Sequence, residues 1–114
     1  INGQIEQIQA LPLEEGMNPD TYYHLLEEAI REHDGNVIVL VDLVGGTPFN
    51  CLMRLSVHYS FIAVAGMNLP MLLQAVNMRE ICSLSELASN LAEETKGTIV
   101  DLQELMSHFR QMGA

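Results

Sequence analysis

Positive charge is scarce in this chain. Five Lys and Arg stand against 15 Asp and Glu in 114 residues, a formal net charge of -10. The five cations, Arg31, Arg54, Arg79, Lys96 and Arg110, are dispersed. Phosphate backbones need clustered cations, so the sequence argues against nucleic acid and anionic membrane as partners. An acidic surface either steers towards a basic protein face or simply favours solubility. No apolar run approaches the ~18 residues that cross a membrane. No basic stretch precedes an apolar one, so no signal peptide is expected. Cysteine is nearly absent: Cys51 and Cys82 form no CxxC and have no histidine near them in sequence. They read as two buried free thiols of a reducing cytoplasm rather than a zinc site or a disulfide. Repeats, low-complexity segments and linkers are missing, and the length fits a single domain over 1–114.

What the chain does have is apolar patterning. Its hydrophobic fraction is 48%, enough for a core that buries about two-thirds of the unfolded surface. The most informative stretch runs from Val37 to Asn50. Five aliphatic residues, Val37 to Val41, suit a strand covered on both faces, as in parallel sheets. Asp42 then falls at the strand's carboxyl end, where open α/β sheets bind ligands. Gly45 and Gly46 permit backbone angles or close approaches that a Cβ forbids. Thr47 and Pro48 read as the N-cap and first residue of a helix.

Elsewhere strands and helices alternate. Ile5 to Leu11 reads as a strand, and Asn18-Pro19-Asp20 starts a helix that ends near His33 to Gly35. Phe49 to about Val57 is helical, and Phe61 to Ala65 is the next apolar strand. Pro70 to about Arg79 and Ser85 to Thr95 are helices. Thr98 to Leu102 is a short strand, and Gln103 to Met112 a last helix or frayed tail. This order specifies an α/β domain with a mostly parallel sheet and helices on both faces.

Several residues carry two readings. Asp42 is either a turn carboxylate or the group that orients an imidazole. Thr47 is a helix cap, a hydroxyl facing a phosphoryl group at a helix N-terminus, or both. Asn68, at a second strand-to-helix junction, is a cap or a polar wall of the same crevice. His24, His33, His58 and His108 read as surface or helix-end residues; no two have metal-ligand spacing. Gly45-Gly46-Thr47-Pro48 has neither G-x-G-x-x-G spacing nor a Walker lysine, against a small nucleotide- or flavin-binding protein.

The segment Val41-Asp42-Leu43-Val44-Gly45-Gly46-Thr47-Pro48-Phe49-Asn50 resembles the VD-x-x-GG-[ST]-PFN signature of the mannose/fructose/sorbose-class IIA domains of the sugar phosphotransferase system. Ala65 to Leu72 is similar to that family's G-x-N-[LI]-PML, in the same order and at a similar separation. The resemblance spans nearly the whole chain. It implies a three-layer, flavodoxin-like domain that takes a phosphoryl group from the histidine-phosphocarrier protein onto a histidine. A IIB domain then receives it. It implies that Asp42 orients the acceptor His. Thr47 and the amides of Gly45 and Gly46 would stabilise the phosphoryl oxygens, with Asn68 and Pro70 as further phosphoryl or partner contacts. No metal or organic cofactor is required. The terminal strand from Thr98 would cross to a second copy in a two-fold homodimer.

One departure stands out. The family's first strand ends in His-Gly, whose His accepts the phosphoryl group, and a first helix follows. Neither is in this sequence, which begins at Ile1 with what reads as the connection into the family's second strand. The expectation is that the acceptor lies upstream of Ile1 and that these 114 residues alone are inactive. Two alternatives stay open: a non-catalytic regulatory or scaffold module of the same fold, and a IIA-like subunit of dihydroxyacetone phosphorylation.

Overall fold

The first helix, α1 (Pro19–Glu32), starts where its sequence favours a start. Asn18 Oδ1 accepts from the Asp20 N–H at 2.8 Å, Pro19 fits the first turn, and Asp20 faces the positive end of the dipole. Tyr22, Leu26 and Ile30 form its buried stripe. The computed structural model describes residues 7–113. Beyond α1 come strand β1 (Ile38–Val41), helix α2 (Thr47–Leu55) and strand β2 (Ile62–Ala65). Helices α3 (Leu69–Met78), α4 (Leu84–Lys96) and α5 (Gln103–Gly113) complete the order.

The stop of α1 explains the entry into β1. Gly35 has φ +75°, and its N–H donates to the Ile30 carbonyl at 2.9 Å. A Cβ on Gly35 would collide with the backbone carbonyl of Ser60. Glycine is therefore needed for the backbone angle and for the space.

Strands β1 and β2 are parallel, with Ile38 opposite Ile62 and Val41 opposite Ala65. Among the described residues they form a two-stranded sheet. Their carboxyl ends share one edge, and Asp42 and Gly66 leave from it.

The chain divides into two compact units, one up to Gly66 and one from Met67. In the first, Tyr22, Leu26 and Ile30 of α1 pack with Val41 and with Cys51, Leu52 and Leu55 of α2. Each large aliphatic side chain buried there contributes about 1.5–3 kcal/mol. In the second, α3 packs on α4, burying Met71, Ala75, Leu87 and Leu91.

Several expectations change. Ile1 to Glu6 lie outside the described residues, and 7–11, read as part of a strand, are irregular. Leu11 instead packs half-buried against the core, and its carbonyl accepts from the Tyr22 hydroxyl at 2.7 Å. Thr98 to Leu102 form no strand. A strand exists only with a neighbour to satisfy its backbone groups, and this segment pairs with no strand among the described residues. Ile99 and Val100 are exposed. Strands β1 and β2 are mostly half-buried rather than covered on both faces. Cys51 is a buried free thiol, whereas Cys82 is a half-buried one.

Candidate functional site

The turn from Asp42 to Thr47 connects β1 to α2 at the sheet's carboxyl edge. Val41 is buried and anchors one end. Cys51 and Leu52, one turn into α2, anchor the other. Asp42 itself is exposed, directly after the last residue of β1. Its negative charge adds to the effect of burial and of Cys51 in raising the pKa of the Tyr22 hydroxyl. Tyr22 packs in the same core cluster as Val41 and Cys51, which flank the turn.

The two glycines divide the work. Gly45 has φ +96°, the left-handed region. Gly46 has an ordinary φ of -84°, but a Cβ there would come 3.2 Å from Leu43 Cδ1. One glycine supplies the angle and the other the room.

The start of α2 differs from the sequence expectation. Gly46, not Thr47, is the N-cap, and no side chain caps it. Thr47 is the first helical residue and Pro48 the second. Every other described helix start has a side-chain oxygen in place. Asn18 serves α1, Asn68 accepts from the Met71 N–H at 3.0 Å, and Ser83 accepts from the Glu86 N–H at 3.2 Å. Asp101 accepts from the Gln103 N–H at 3.0 Å. Only α2 begins with its amides free of such a partner. With the Thr47 hydroxyl beside them, those amides are donors suited to an anion.

Asp42, Gly45, Gly46 and Thr47 therefore come together on one turn. Asn68 and Pro70 belong to the second unit, at the start of α3. There Asn68 is a cap, the plainer of its two readings.

The histidines lie elsewhere, and all four are exposed. His33 caps the C-terminal end of α1 and His58 lies between α2 and β2. Both sit in connections that enter the opposite edge of the sheet from Asp42. His24 is on α1, where its Nδ1 is 3.4 Å from Glu27 Oε1, and His108 is on α5. A shallow depression beside His24 is lined by Glu27, Glu28, Arg31 and Glu32. It is the charged outer face of one helix and not part of the turn.

Reading the sequence missed that Tyr22 packs with the residues flanking the turn and missed the exposure of Leu43 and Val44. The latter left a signal: two apolar residues in a turn, where polar ones are the rule. Among the described residues no group of three His, Cys, Asp or Glu is placed to hold a metal. No described helix is long and apolar enough to cross a membrane.

Known proteins share this chain's pattern. A family model described as "PTS system fructose IIA component", of the mannose type, matches residues 1–92. The chain is 35% identical to the PTS system fructose-specific EIIA component of Bacillus subtilis strain 168, over 80% of this chain and 64% of that protein. It thus spans slightly under two-thirds of that curated relative. The crystal structure of phosphotransferase system component EIIA from Streptococcus agalactiae superposes with a TM-score of 0.69. That match has 30% identity and covers 79% of this chain and 72% of that one.

Proposed function

The chain belongs to the fructose/mannose-class IIA family of the sugar phosphotransferase system, and from that membership we propose that it serves a phosphohistidine relay. A phosphoryl group arrives from the histidine-phosphocarrier protein, rests on a histidine at the Asp42 turn, and leaves for a IIB domain. The observation that carries this reading is the turn itself. A carboxylate at the end of β1 is followed within five residues by the uncapped N-terminus of α2.

Each residue then has a task. The Asp42 carboxylate accepts from one ring N–H of the acceptor imidazole, fixing its tautomer and leaving the other nitrogen to attack phosphorus. As the P–N bond to the donor histidine breaks, the new one forms in line. Negative charge on the equatorial oxygens meets the amides at the start of α2 and the Thr47 hydroxyl. Gly45 and Gly46 let the backbone approach that closely. Asn68 and Pro70 are candidate partner contacts of their own unit.

The acceptor is none of His24, His33, His58 and His108 and lies upstream of Ile1 in the complete protein. The placement of His33 and His58 at the opposite sheet edge supports this. The working form is a two-fold dimer in which the segment from Thr98 adds to the partner copy's sheet, completing a three-layer, flavodoxin-like order. The exposed Ile99 and Val100 support that part. The test is to incubate the complete natural protein with phosphorylated carrier protein and map the acid-labile phosphate. Label upstream of Ile1 is expected. Label on any of the four histidines overturns the assignment.

A further inference from the structure

We draw no further inference here: the strongest candidate, the unpartnered apolar face that Leu105, Phe109 and Met112 present on α5, carries nothing beyond the dimer already proposed, because nothing in the structure shows what else covers it.

Discussion

Val41 stands opposite Ala65 in the parallel ladder, and that pairing brings the carboxyl ends of both strands to one edge of the sheet. Asp42 leaves from the carboxyl edge, while His33 and His58 lie in the connections that enter the other. In the complete protein, Asp42→Asn should slow phosphoryl transfer about 10–100-fold, the usual effect of losing a group that orients a functional imidazole. Asp42 is exposed, so the far-UV spectrum and melting temperature should stay near wild type. An unchanged transfer rate would make Asp42 a turn residue only.

Capping gives a second contrast. Asn68 and Ser83 accept from amides of their helices, but Thr47 does not cap α2. Asn68→Ala and Ser83→Ala should each cost about 1 kcal/mol in denaturant melts. Thr47→Ala should stay within about 0.5 kcal/mol and act on transfer instead. A destabilisation at Thr47 equal to that at Ser83 would return it to the role of a cap.

Gly35 should be the least replaceable glycine. Gly35→Ala meets both a left-handed φ and the Ser60 carbonyl, and should cost about 1–3 kcal/mol. Gly16 also has a positive φ, but a Cβ there meets nothing within 4 Å. Gly16→Ala should therefore cost less, and equal losses would show that the Ser60 contact is relieved by a small backbone shift.

A carboxylate–phenol pair sets a pH window. The Tyr59 hydroxyl donates to Glu27 Oε2 at 2.9 Å. That bond lowers the Glu27 pKa and raises that of Tyr59. For Glu27, whose folded value is depressed, the contribution is present above the unfolded pKa and lost as pH falls through the folded one. For Tyr59, whose folded value is raised, it is present below the unfolded pKa and lost as pH rises through the folded one. The pair should therefore stabilise between about pH 5 and pH 9 and fade on both sides. By NMR titration, Tyr59→Phe should move Glu27 back up towards ordinary carboxylates. No movement would mean that the bond is not kept in solution.

Assembly is testable from the tail. Ile99, Val100, Leu105 and Phe109 are all more than half exposed, and α5 buries no residue. The proposed dimer should appear in light scattering at micromolar protein, and deletion from Gly97 onward should yield monomer or aggregate. An intact protein that scatters as a monomer would refute it.

Much of this was readable beforehand because the signals were local. Asn18-Pro19-Asp20 starts α1, and the apolar runs ending at Val41 and Ala65 became parallel neighbours. Asp42 falls at the carboxyl edge as its position in the run implied. What failed depended on neighbours. Residues 7–11 and 98–102 have strand-like composition, but without a paired strand the backbone gains nothing from extending. The cap of α2 shifted to Gly46 because Gly45 turns the chain one residue earlier than the Thr47-Pro48 pattern suggests. Met53 follows Phe49 at helical spacing in α2 and yet is 49% exposed, while Cys51 takes the buried place. Helical spacing alone does not say where a stripe is centred.

The aromatic residues are unevenly placed between the two units. The chain has no Trp, and its three tyrosines, Tyr22, Tyr23 and Tyr59, all precede Gly66. One is buried in the core, one lies beneath Arg54 and one is bonded to Glu27. Tyrosine fluorescence therefore observes the first unit alone, while far-ultraviolet dichroism averages over every helix. A melt followed both ways separates the two halves of the chain optically without any label.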